Sequence, residues 1–492
     1  MAGIRKRFGL VLLISLVLCA AIPDQRVEAS GGPGVSVRTV TLNDFSALGA
    51  VALDTLTGRV FLAIGSVPGD SVAGRVHVLD STTGALIRRL AVGGGDGTQL
   101  LAVDEAVGHV YVTASDGATS WLCILDGRSG RLLRTVSLGT APRMGPVAIA
   151  VDQRASRVLV VSAYIFDPTG EAGSVSVLDS RTGRLLRTVT IGETPGALVV
   201  DARAGRAFIL DRGTFAFHGD PTGHGSVYVL ETASGRLLRT TSVGPTPSRI
   251  VDDPHAGRVL VLTPNAVDQD GIPRSGGSSV WTLDTTSGLL LRATRVWGNP
   301  LGLVIDSRAD RAMVLATAAR GDAAMVSILD TGSGQLLGRT NLDLHGHAAS
   351  FEDVPSVQGA SFPQGGQVGM GVVDERHGRA YFVSSDGPVV SVLDTRSGRL
   401  LATAALSPTS PPPPGEALGT GTALLALAAP ACDIVVTKPK DRSIGLLDGA
   451  TGVPRQTIAA GGLPYEMLVD ELHGTTLVIT LNGRISILRR SV

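Results

Sequence analysis

The chain has 492 residues, 43 basic and 43 acidic side chains, no net charge at neutral pH, 17% charged residues and 43% hydrophobic residues. This balance points to no nucleic acid, membrane surface or charged substrate as a partner. Lysine occurs only at Lys6, Lys438 and Lys440, so arginine carries nearly all the positive charge, and glycine is abundant at 63 residues.

Residues 1–29 read as a targeting segment. Arg5, Lys6 and Arg7 form a basic start, 8–22 an apolar core, and Val27-Glu28-Ala29 offers small residues where a signal peptidase reads. The expectation is cleavage after Ala29 and export, with the mature chain extracellular, at the cell surface or in the periplasm. Two alternatives stay open: a lipoprotein through Cys19, which follows a bulky Leu18, and an uncleaved anchor. Nothing further along reaches the ~18 uninterrupted apolar residues of a membrane span. Residues 30–34 read as a short linker, and 35–492 as one repeat domain.

That domain opens with a strand, VSVRTVTL (35–42), and then alternates two motifs. In the first, an apolar run ends in Asp and is followed by three residues, Gly-Arg and a second apolar run. Copies are centred on Asp54, Asp104, Asp152, Asp201, Asp253, Asp306, Asp374 and Asp470. A worn copy has Ala428 in place of Asp and Asp433 in place of Arg. The second motif is seen best in LDSRTGRLLRTVTIGETP (178–195): a strand, an Asp-led turn closed by Gly, and an arginine-bearing strand. Relatives of it follow Asp80, Asp126, Glu231, Asp284, Asp330, Asp394 and Asp448. Successive units start 42 to 68 residues apart, which makes nine units of about four strands.

Asp at a strand end accepts hydrogen bonds from N–H groups two residues on, and Gly supplies the positive φ that closes the turn. The first strand of each unit, such as VAIAVD (147–152), is apolar at nearly every position and reads as buried on both faces. The last strand carries Arg, which suits an outer edge. An inner buried strand and an outer charged one give the radial order of a propeller blade. The fold expected is all-β: one closed β-propeller of about nine four-stranded blades. The N-terminal strand lacks a blade and the C-terminal blade lacks an outer strand, so the two pair to close the ring. The repeats resemble those of the YncE-like, YVTN-repeat propeller family over most of 35–489. That resemblance implies an extracytoplasmic propeller and leaves its activity open. Propellers usually have 4–8 blades; nine is the direct count, with eight, or a ring plus an appended unit, as alternatives.

Turns within blades are short and uniform, whereas second-to-third and blade-to-blade connections vary. The long inserts 166–173, 211–225, 264–277, 343–367 and 407–421 therefore gather on one face, where binding residues are expected. His218, Asp220 and His224 share one insert, and His345 and His347 another; imidazole and carboxylate suit a transition metal, while the plain reading is solvated loop polarity. Asp268-Gln269-Asp270-Gly271 starts like a calcium loop, with Asn265 nearby, yet lacks its bidentate glutamate. Trp297, in a blade-to-blade connection, could reach the same face. The proline run 411–414 reads as an extended spacer or a partner motif. Cys123 and Cys432 are expected as buried free thiols. The recurring Asp and Arg read as structural, because a site needs a residue once and a turn needs it in every unit.

No G-x-S-x-G elbow, P-loop, H-E-x-x-H or C-x-x-C-H occurs, so no metal or cofactor is expected and no catalytic residue is named. The function expected is an exported, monomeric, non-catalytic propeller that binds a protein, a cell-envelope component or a small ligand through its loop-rich face. No nucleic-acid partner is expected. Alternatives are a propeller enzyme, lactonase-like or quinone-dependent dehydrogenase-like, with a site at the channel mouth, and a structural cell-surface module.

Overall fold

The structure, a computed structural model, describes residues 27–32, 35–43, 47–65, 74–93, 100–140, 144–164, 172–213, 224–264, 277–318, 324–342, 370–383, 389–406, 423–428 and 433–490. Among them every regular element is a β-strand, and the strands form nine antiparallel sheets. Each sheet is a blade. Blades 1 to 8 span 47–91, 101–140, 144–190, 195–242, 249–296, 299–342, 371–405 and 425–459, with strand order following chain order. Nine blades is thus the count, and eight is set aside. Among the described residues no helix is long and apolar enough to cross a membrane.

The first strand of each blade touches the first strand of the next, and Pro464–Asp470 touches Ala47–Asp54, so the inner strands form a closed ring. Blade 9 takes three strands from the C-terminus and its fourth from the N-terminus. Val35–Thr41 pairs antiparallel with Arg484–Arg490, from Val35 opposite Arg490 to Thr41 opposite Arg484. Val27–Gly32 lies outside it as a fifth strand, from Val27 opposite Val40 to Gly32 opposite Val35. This strand was not anticipated from the sequence, and it runs through the expected cleavage position at Ala29.

The core lies between blades rather than within any one of them. Second strands are buried along their length, as in Arg59–Gly65. Leu53, Leu62 and Ile64 of blade 1 pack on Leu468, Leu477, Ile479 and Ile487 of blade 9. Each such side chain contributes roughly 1.5–3 kcal/mol when fully buried. The turns of the second motif also seat against the neighbouring blade. Asp179 accepts hydrogen bonds from the Thr182 N–H and hydroxyl, both at 2.8 Å, and the Gly183 N–H closes on the Asp179 carbonyl. Gly183 has φ +69°, and a Cβ there would lie 2.5 Å from Cδ1 of Ile124 in blade 2. That turn requires glycine twice, for backbone conformation and for the close approach of two blades.

Candidate functional site

The two faces of the ring divide the polar residues. Turns from first to second and third to fourth strands lie on one face, and the strand ends that lead into the other connections lie on the opposite one. On the turn face the repeated groups are spent on structure. The aspartates that end the first strands are buried, from Asp54 to Asp470. They cap their own turns: Thr57 N–H reaches Asp54 at 3.1 Å, Ala155 N–H reaches Asp152 at 2.9 Å and Ala204 N–H reaches Asp201 at 2.9 Å. The arginine that starts a second strand joins two blades. Arg258 donates to Asp284 at 3.0 Å in its own blade and to the Gly332 carbonyl at 2.9 Å in the next. Outer-strand arginines do likewise: Arg88 to the Ser129 carbonyl at 2.7 Å, Arg134 to Thr182 at 2.6 Å and Arg292 to Ser333 at 3.0 Å. In blade 8, where Asp433 stands in the arginine position, Arg455 of the outer strand supplies the cation, pairing with Asp433 at 3.2 Å and with Asp448.

At the closure seam Ser81, Asp470 and His473 meet. The Ser81 hydroxyl donates to Asp470 Oδ2 at 2.6 Å, and His473 Nδ1 lies 2.9 Å from the same oxygen. Both partners address the carboxylate, and Ser81 is fully buried. The hydroxyl hands its hydrogen bond to Asp470 instead of to an imidazole base, so this is a latch between blades 9 and 1 and not an activated nucleophile. Among the described residues no group of three or more His, Cys, Asp and Glu is placed to hold a metal ion.

Of the residues singled out in the sequence, His218, Asp220, His345, His347, the calcium-like stretch 265–271 and the prolines 411–414 lie outside the described residues. His224 is described and exposed. Its carbonyl oxygen lies 3.0 Å from where a Gly213 Cβ would be, so the two ends of that insert meet. Trp297 is partly buried, between the outer strand Leu290–Val296 and the inner strand Asn299–Asp306. Cys123 is a buried free thiol, pushed up from its ordinary pKa by burial, and Cys432 lies outside the described residues.

Aligning the first strands on their terminal Asp exposes residues that break the repeat. One place before the Asp, eight blades carry Leu, Val or Ile, and blade 5 carries Asp252. Four places before it, seven blades carry Ala, Leu, Gly or Met; blade 5 carries Arg249 and blade 9 carries Glu466. Arg212 directly follows the second strand of blade 4, Arg206–Asp211, and its guanidinium lies over the inner strand, with Nε 3.4 Å from a Cβ built on Gly196. Arg212, Arg249 and Glu466 stand toward the insert-bearing end of the ring, and Asp252 toward the turns. Burial, with Asp201 and Asp253 adding negative charge, pushes Asp252 up to about 8. Burial pushes Glu466 up to about 7, against the Met467 N–H that it accepts at 3.2 Å. Burial alone pushes Arg212 and Arg249 down from the ordinary guanidinium range. None of these four was singled out from motifs. A column-by-column comparison of the nine inner strands finds Arg249, Asp252 and Glu466, each a charge at an otherwise apolar place, whereas Arg212 lies one residue past a second strand.

Residues 171–452 match the family described as outer membrane protein assembly factor BamB, which is more than half of the chain. The chain belongs to this family. No curated protein matches it in sequence. BamB from Moraxella catarrhalis is 12% identical, with 94% of this chain and 100% of that one covered at a TM-score of 0.42. The Dos1 propeller is also 12% identical, with 90% and 93% covered and a TM-score of 0.50, a likeness of fold. A europium-containing methanol dehydrogenase is 13% identical, with 84% and 85% covered at 0.46.

Within this BamB-type ring the four charges differ in what they can do. Asp252 and Glu466 can escape the penalty of burial by holding a proton. A guanidinium cannot release one in a protein, so Arg212 and Arg249 stay cationic.

Proposed function

We propose that the protein is an exported, monomeric, non-catalytic propeller that binds a protein, cell-envelope or small-molecule partner through its insert-bearing face. One observation carries this reading. On the turn face the recurring arginines reach across to the next blade, whereas Arg212, Arg249 and Glu466 stand toward the inserts. Membership of a family described as an outer membrane assembly factor supports a place in the cell envelope and a scaffolding role. The YVTN-like repeat and the basic, then apolar, segment 1–29 agree with export and with cleavage near Ala29. His218, Asp220, His224, His345, His347 and Trp297 are the residues proposed to face the partner, with no nucleic acid among the candidates.

The test is capture from an envelope extract by the immobilised protein, compared with two variants. One has the insert 343–367 replaced by a short glycine-serine linker. The other carries Arg88→Ala and Arg292→Ala on the turn side. Loss of the captured species in the first variant alone supports the reading. Loss in the second alone, or in neither, overturns it.

A further inference from the structure

Two arginines at the insert-bearing end differ from the others of the ring. Arg212 and Arg249 belong to adjacent blades, 4 and 5, whose inner strands touch, and both sit at the insert-bearing ends of their elements. Each is partly buried. Neither makes a hydrogen bond or ion pair through its guanidinium with any described residue, although arginines elsewhere in the ring find carboxylates or carbonyls at 2.6–3.4 Å. The surroundings of Arg212 are built rather than loose. Asp211 accepts the Thr194 N–H at 3.2 Å and hydroxyl at 2.9 Å, the Thr194 hydroxyl lies 2.7 Å from the Gly213 carbonyl, and the guanidinium lies in contact range of the inner strand at Gly196. Asp211 is thus engaged with Thr194, and the guanidinium of its neighbour is left to other partners. His224 comes off the same base, its main chain against Gly213.

A cation partly withdrawn from water without a counter-charge is disfavoured, and a guanidinium cannot avoid the cost by losing its proton. Two such cations, neither offered a counter-charge by a described residue, suit an anionic group at this place. We infer that Arg212 and Arg249 form an anion-binding subsite at the insert-bearing end of blades 4 and 5, taking a phosphate or carboxylate group of a ligand. The planar fork of arginine suits either group through paired N–H donors. The substitution pattern supports the assignment: blade 4 has Ala197 where blade 5 has Arg249, so the cations arise singly and not from the propeller repeat. This inference names the chemistry of the face in the proposed function, and it is tested without any partner.

Thermal unfolding of the full chain is followed at constant ionic strength with inorganic phosphate, with acetate and with chloride as reference. The expected result is a concentration-dependent rise in melting temperature with phosphate or acetate beyond chloride, the stronger of the two identifying the group preferred. Arg212→Met and Arg249→Met should each weaken the apparent affinity for that anion by about tenfold. Without anion, both variants should melt no lower than the parent, because an unpaired cation has been replaced by an apolar side chain of similar length. Arg249→Lys, which keeps the charge, should retain part of the response. No rise with either anion overturns the inference, as does an undiminished rise in the double methionine variant. A methionine variant that melts lower than the parent without anion also overturns it, since the arginine would then be serving the fold. Loss of partner capture with an intact anion response would instead sink the proposed function and leave the subsite standing.

Discussion

At Asp80 opposing effects act on one carboxyl. Burial pushes its pKa up, but hydrogen bonds from Thr82 and Thr83, with Arg59 at 2.6 Å, outweigh it and hold the group at about 2. Asp448 is held at about 2 chiefly by Arg455. These pKa values lie below those of the unfolded chain, so the stability they confer is present above pH ~4 and lost as pH falls towards 2. Denaturant midpoints measured from pH 5 to pH 2 should fall across that window. Asp252 has the reverse sign. Its folded pKa of about 8 exceeds the unfolded one, so stability drops as pH rises from ~4 to ~8 and the cost is complete above. Asp252→Asn should therefore stabilise the protein by roughly 1–3 kcal/mol at pH 8.5 and by little at pH 4, read from the same denaturation series. At this scale the sequence was legible where residues recur. Asp54 and its counterparts declared themselves as turn caps through repetition. Asp252, Arg249 and Glu466 did not, because a single charge in an apolar strand is visible only against eight aligned copies. The inserts bearing His218, Asp220, His345 and His347 have no repeat to be read against at all.

The strands and their turns were the most legible elements, since alternating apolar runs bounded by Asp and Gly specify hairpins locally. Gly183 illustrates how local and long-range demands agree at one position. Gly183→Ala should destabilise the protein by roughly 1–3 kcal/mol, from strain at positive φ and from displacement of Ile124, checked as a lower denaturant midpoint at unchanged slope. What could not be read locally is where side chains reach across blades. The outer-strand arginines look like charged edge guards in sequence, yet Arg88, Arg134 and Arg292 fold over to carbonyls of the next blade. Blade 8 looks defective, with Ala428 and Asp433 in place of Asp and Arg, but Arg455 restores the ion pair from another strand. The fifth strand, Val27–Gly32, escaped notice because VEASGG carries no strand pattern; its pairing comes from its neighbour Val35–Thr41.

For the molecule as a whole, closure was legible because the leftover N-terminal strand and the incomplete last unit complement one another. A chain that starts after Thr41 would leave the Arg484–Arg490 edge uncovered and remove the buried Val37 and Val40. It should melt at lower temperature and associate through the bare edge, seen as a shift to larger species in size-exclusion chromatography. The nine-fold count was also legible, because the spacing of the first motif counts blades directly.

The first strand of the ring to be made is the last to be placed. Ser36 finds the Arg489 carbonyl across 453 residues of sequence. At synthesis rates of about 5–20 residues per second, that strand waits tens of seconds for its partner. Eight blades can stack in order as they emerge, but the ring stays open and its seam exposed until Arg484–Arg490 arrives. Assembly is therefore a race between closing on itself and pairing with a neighbour, and it is decided only once that strand is available.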